Sequence, residues 1–128
     1  MSDTKVSSFI KNGYEIVNSS RTHSWISDEP IELNGGDTGP KPTELLLSAL
    51  ASCKLITIQM YAQRKGWEIE NASVDLKIIG TEEGVTIIEK RLLLKSNLDE
   101  QQVNRLKDIS GRCPVVKMLS NSIEFRWA

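Results

Sequence analysis

A chain of 128 residues has the length of one compact domain, and 39% hydrophobic against 26% charged residues is the balance of a soluble fold with a modest core. Sixteen basic against seventeen acidic side chains leave a net charge of −1, without the basic stripe that a nucleic-acid binder carries. No uninterrupted apolar run approaches the roughly 20 residues of a membrane span. The opening Met1-Ser2-Asp3-Thr4-Lys5 also lacks the character of a signal peptide, so a cytoplasmic protein is expected.

The first third reads as short strands between turn signals. Val6 to Ile10 leads into Asn12-Gly13, a hairpin dipeptide, and then into Tyr14 to Val17. His23 to Ile26 is a third expected strand and Ile31-Glu32-Leu33 a fourth, before the loop Asn34-Gly35-Gly36-Asp37-Thr38-Gly39-Pro40. Pro42 suits the first position of a helix, and Glu44 complements the positive end of its dipole. That helix is expected to run to about Lys65 and stop at Gly66. From Leu45 to Ile58 it is apolar almost all round, broken by Ser, Thr, Cys and Lys54. Such a helix is normally enclosed on most sides, and so small a chain cannot cover it alone. The surplus apolar surface points to a partner subunit.

Two long strands follow, Trp67 to Ile79 and Val85 to Leu94, joined at Thr81-Glu82-Glu83-Gly84. A second helix is expected from an Asp99 N-cap, with Val103, Leu106 and Ile109 on its buried stripe and Gly111 at its end. Pro114 opens a short third helix, and Ile123 to Trp127 reads as a last strand. Strands, long helix, strands, helices and strand make an α+β domain, not a repeating βαβ fold, over residues 1–128.

The chemistry rests on two cysteines, Cys53 in the middle of the long helix and Cys113 directly before Pro114. In a cytoplasmic protein such residues are more often free, catalytic or redox-active than joined as a staple. With one histidine in the chain, a zinc site of usual composition is not expected. The bland reading of Cys53 is a small buried hydrophobe. By local electrostatics Cys113 is the more reactive thiol, since it would stand at a helix N-terminus beside Arg112.

Gly35-Gly36-Asp37-Thr38-Gly39-Pro40, Pro42, Glu44-Leu45-Leu46-Leu47, Ala49-Leu50-Ala51-Ser52-Cys53 and Met60-Tyr61-Ala62 together resemble the central segment of the OsmC/Ohr family. Cys113-Pro114-Val115, with Lys117 and Leu119, resembles its second cysteine motif, and His23 with Asp28-Glu29-Pro30 fits the small members with a glycine-rich loop of this kind. The resemblance implies antiparallel strands around a long central helix in an intertwined homodimer. It also implies a thiol peroxidase that needs no cofactor, prefers organic hydroperoxides and draws electrons from an external dithiol. Cys53 would attack the peroxide and Cys113 would resolve the resulting sulfenic acid as a disulfide.

The family's activating arginine and the glutamate that holds it are less direct to transfer. Thr43 falls where that glutamate belongs, and Glu44 comes one residue late, a rotation of about 100° on a helix. Glu44 also stands nine residues before Cys53, roughly 13 Å along the axis, so a role at the site would be across the dimer. Arg21 lies in the region that supplies the arginine, with Arg112 as the alternative. His23 is read as a structural hydrogen-bonder, and Trp25 and Trp67 as core. The rival function is a dimer of the same fold that binds a small apolar ligand or senses redox state without turnover.

Overall fold

The computed structural model describes residues 4–128, in two compact units that meet in the sequence at Leu46/Leu47. In the first unit, strands β1 (Ser7–Asn12), β2 (Glu15–Ser20) and β3 (His23–Ser27) form an antiparallel sheet in the order β1-β2-β3. Gly13, at φ +57°, turns the first hairpin, and a register shift between Ile10 and Asn12 accommodates it. Arg21, at φ +54°, turns the second. Ile31–Leu33, expected as a strand, is instead one turn of 3₁₀ helix, closed by Asn34 in the left-handed region. The backbone bonds locally here, Leu33 and Gly35 N–H to the Pro30 carbonyl and Asn34 N–H to that of Ile31, so these groups are not free for a ladder.

The loop that follows is wrapped around one buried carboxylate. Asp28, only 2% exposed, accepts hydrogen bonds from the backbone N–H groups of Glu29, Gly36 and Thr38 and from Thr38 Oγ1 at 2.7 Å. The Thr38 hydroxyl first, and then these amides, hold its carboxyl below the usual carboxylate range, against the opposing effect of burial. Gly35 and Gly39 are needed because a Cβ at either would run into a carbonyl, of Glu29 and Ile26 respectively. Gly35 and Gly39 are thus a packing requirement of this loop.

Helix α1 (Pro42–Lys65) starts and ends where its proline and Gly66 predict. Contrary to the expectation from uninterrupted apolar runs, it is long and apolar enough to cross a membrane by length and composition, with a mean hydropathy of 1.5. Averaging absorbs its scattered Ser, Thr and Gln. Its Leu50, Lys54, Ile58 and Ala62 form a buried i, i+4 stripe.

Within the second unit, β4 (Ile69–Glu82) and β5 (Val85–Ser96) form a long antiparallel hairpin through Glu83 and Gly84, both at positive φ as a type I′ turn requires. Ala72, Val74 and Leu76 on β4 pair with Leu94, Leu92 and Lys90 on β5. Helix α2 (Glu100–Ser110) begins in a full capping box between Asp99 and Gln102, and α3 (Pro114–Ser120) follows after Gly111. Ile58, Ala62 and Leu106 make the core, with Tyr61, Trp67, Leu92 and Leu94 packed against it.

The last expected strand is absent. Among the described residues, 121–128 pair with no strand, and Phe125 and Trp127 are 90% and 102% exposed. An extended segment needs an open edge to bond to, and none among the described strands takes this one. On α1, Leu46, Ile56 and Met60 are likewise exposed.

Candidate functional site

The two cysteines meet at the corner between α2 and α3, and a lysine fixes the encounter. Lys54 follows Cys53 on α1 and is 5% exposed, and its Nζ donates to the Ser110 carbonyl at 3.3 Å. That carbonyl is among the last of α2, lacks an intrahelical partner and sits at the negative end of the helix dipole, so an ammonium is a fitting cap. Gly111 and Arg112 then turn the chain, and Cys113 becomes the N-cap of α3. Docking Lys54 on Ser110 therefore sets Cys53 beside Cys113, which is fully buried and within hydrogen-bonding reach of the Cys53 thiol. Neither is in a disulfide, and Cys53 is half-buried. Thr57 Oγ1 donates to the Cys53 carbonyl at 2.7 Å, one turn along the helix.

The surroundings of Cys113 oppose the activation expected from local sequence. Burial pushes the Cys113 thiol up, and its hydrogen bond to Cys53 and the charge there push the same way. The Val116 amide and Lys54 pull it down without prevailing. Arg112, expected to activate Cys113, pairs instead with Asp108 at 2.7 Å on the exposed side of α2. Cys113 therefore holds its proton more firmly than an ordinary cysteine. Lys54 is itself shifted down, first by burial and then by Lys90, while both cysteines act in the opposite direction.

Of the residues picked from sequence, the second unit unites Cys53 and Cys113. Glu44 and Arg21 belong to the first unit. The Glu44 carboxylate accepts the Lys41 backbone N–H at 2.9 Å, as a third-position glutamate does at a helix start. Arg21 is exposed at the tip of the β2–β3 turn, and His23 is exposed one turn residue later. Trp67 packs edge-on against Tyr61 at 5.6 Å, as core. Among the described residues no group of three His, Cys, Asp or Glu side chains is placed to hold a metal ion.

Sequence reasoning overlooked Lys54, passing it as a break in an apolar helix. The available signal was its spacing, four residues from both Leu50 and Ile58, which puts a charge on the buried stripe.

Comparison with known proteins agrees with this architecture. The family model described as OsmC-like protein matches residues 35–128. The uncharacterized protein YmaD of Bacillus subtilis is 25% identical, over 76% of this chain and 71% of its own length. The OsmC-like protein of Mycoplasma pneumoniae superposes with a TM-score of 0.78 at 20% identity, covering 94% of this chain and 89% of that one. An organic hydroperoxide resistance protein OsmC from Legionella pneumophila gives 0.68 at 17% identity, covering 93% and 90%. At such identities the structural likeness is one of fold, and it extends the matched segment to nearly the whole chain. With its cysteine pair, long central helix and antiparallel sheets, the chain belongs to the OsmC-like protein family.

Proposed function

We propose that the protein is a thiol-dependent peroxidase that reduces organic hydroperoxides, with Cys53 as nucleophile and Cys113 as resolving thiol. The observation that carries this reading is the contact between the half-buried Cys53 and a buried, proton-retaining Cys113, with the Lys54 ammonium beside both. The OsmC fold of a relative named for organic hydroperoxide resistance supports it.

In the proposed cycle the Cys53 thiolate attacks the distal peroxide oxygen. The O–O bond breaks, Cys53 becomes a sulfenic acid, and the alkoxide takes the Cys113 proton and leaves as an alcohol. The Cys113 thiolate then attacks the Cys53 sulfur, forming the disulfide and releasing hydroxide, which solvent protonates. An external dithiol returns two electrons by thiol–disulfide exchange. Lys54 steadies the negative charge that moves between the sulfurs and the leaving oxygen.

The proposed working form is a cytoplasmic homodimer of single-domain chains, 1–128. Its interface would cover the exposed Leu46, Ile56 and Met60 of α1 and give the Ile123–Trp127 segment an edge to pair with. In that dimer Arg21 and Glu44 are proposed to be contributed by the partner subunit, in keeping with the family resemblance.

The test is consumption of cumene hydroperoxide with dithiothreitol as reductant. Cys53→Ser should abolish turnover. Cys113→Ser should stop at a trappable Cys53 sulfenic acid or become dependent on excess thiol. Undiminished turnover by Cys53→Ser would overturn the assignment. Stoichiometric oxidation of the wild type without turnover would select the redox-sensing reading instead.

A further inference from the structure

Lys54 is a buried ammonium without a fixed counter-charge. Its one hydrogen bond among the described residues goes to the neutral Ser110 carbonyl, and none of the five ion pairs among those residues uses it. Asp108, the carboxylate at the same end of α2, is taken by Arg105 and Arg112 on the exposed side. In the two hollows that Lys54 borders, β5 contributes Lys90 and Arg91 and α2 contributes Lys107, all cations, while β4 and α3 contribute only uncharged side chains. Burial and then Lys90 push the lysine towards its neutral form. The groups beside it that can carry negative charge are the sulfurs of Cys53 and Cys113.

Redox chemistry at this pair creates and removes that counter-charge. With Cys53 a thiolate, an anion stands beside the ammonium and favours it. In a disulfide neither sulfur is charged, and what remains around Lys54 is burial, a neutral carbonyl and other cations. A buried charge left without a partner neutralises by giving up its proton.

We propose that Lys54 is the proton store of the cysteine pair, an ammonium while Cys53 is a thiolate and an amine once the Cys53–Cys113 disulfide has formed. The inference deepens the peroxidase reading and rests on it for its place in turnover. On oxidation the alkoxide takes the Cys113 proton, the S–S bond forms, and the departing hydroxide draws a proton from solvent that Lys54 makes good. Thiolate, thiol, ammonium and hydroperoxide thus become disulfide, amine, alcohol and water, with charge balanced and no net proton taken from bulk. On reduction the external dithiol supplies two electrons and two protons. One proton stays on Cys113, and the other returns to Lys54 as Cys53 becomes the thiolate again.

The test follows the side-chain carbon resonance of Lys54 by NMR through an alkaline titration, with the signal assigned by its loss in Lys54→Met. Reduced wild type is compared with wild type oxidised by diamide, so no peroxide chemistry is involved. Lys54 in the disulfide form should hold its proton about tenfold more weakly than in the reduced form, the scale of one opposite charge at close range. Cys53→Ser/Cys113→Ser, with neither sulfur charge nor disulfide, should titrate with the oxidised protein. Cys113→Ser alone, which keeps the Cys53 charge, should titrate with the reduced one. Equal midpoints in the two redox states, or a double variant that titrates with the reduced protein, would overturn the proton store, as would failure of diamide to join the two cysteines. If the midpoint moves as expected and no hydroperoxide is consumed, the peroxidase reading fails while the store stands. Turnover with an unmoved midpoint overturns the store alone.

Discussion

Asp28 and Lys54 are both buried charges, 2% and 5% exposed, and they are satisfied in opposite ways. Asp28 accepts four hydrogen bonds, all from residues within ten positions in the sequence. Lys54 donates one, to a carbonyl 56 residues away, and otherwise faces a second lysine, two thiols and a cavity. An ammonium has three protons to give. A saturated buried charge organises the backbone around it and has nothing left for a ligand. An under-satisfied one adjacent to nucleophiles is held ready for charge that arrives from elsewhere.

The largest effect that would sharpen this contrast is in Lys54→Met, which keeps the volume and removes the charge. Peroxide turnover should drop about a hundredfold, the scale of losing one preorganised charge-stabilising donor. Urea unfolding should show equal or greater stability, because a buried cation is replaced by an apolar chain. A large loss of stability with turnover intact would make Lys54 a structural residue like Asp28 and dissolve the distinction. Next comes Gly39→Ala, whose Cβ collides with the Ile26 carbonyl. Forcing the loop to move should reduce stability by about 1–3 kcal/mol in the same assay, with the specific activity of the folded fraction retained.

Asp28→Asn is a smaller perturbation on the same loop. Asparagine can still accept from the Glu29 N–H but presents an amide to the Thr38 donors, so the melting temperature should fall. The stronger prediction is in the pH dependence. A carboxyl whose folded pKa is depressed contributes stability that is present above its unfolded pKa of about 3.9 and is lost as pH falls through the lower folded value. The gap between wild type and Asp28→Asn should therefore be constant above about pH 3.9 and close as pH falls from there through the lower folded value. A gap that persists unchanged into strong acid would mean that Asp28 is not the group being titrated.

What could be read from the sequence follows from how local each determinant is. Pro42, Gly66, the Asp99 cap and the alternation from Ala72 to Leu76 act within one element, and the elements they announce are present. Ile31–Leu33 and Ile123–Trp127 carry the same strand-like composition, but a strand also needs an edge to pair with, which composition does not encode. The cysteine pair was recognisable as a motif, whereas the surroundings of Cys113 were not. Arg112 is adjacent to Cys113 in sequence yet bound to Asp108, while Lys54 is 59 positions away and beside it. Burial and through-space charge set how firmly Cys113 holds its proton, and neither is a property of neighbouring letters.

The order of the thiols gives the finest test of the contrast between a saturated and a poised site. At pH 7.5 one equivalent of iodoacetamide should modify Cys53 alone. Cys113 is enclosed and its thiol is pushed up, so it stays protonated through the pH range where an ordinary cysteine, near 8.5, begins to ionise. Cys113→Ala removes the S–H that faces Cys53. If that proton stabilises the Cys53 anion, labelling of Cys53 in this variant should slow about threefold, because a thiol is a weak donor worth roughly 0.5–1 kcal/mol. Cys53→Ala should do the reverse to its partner: with the opposing charge and hydrogen bond gone, the pH at which Cys113 reacts in mild denaturant should move down. Faster labelling of Cys53 in Cys113→Ala would mean that the buried thiol obstructs the nucleophile instead of supporting it, and would return the roles of the two cysteines to those that local sequence alone suggests.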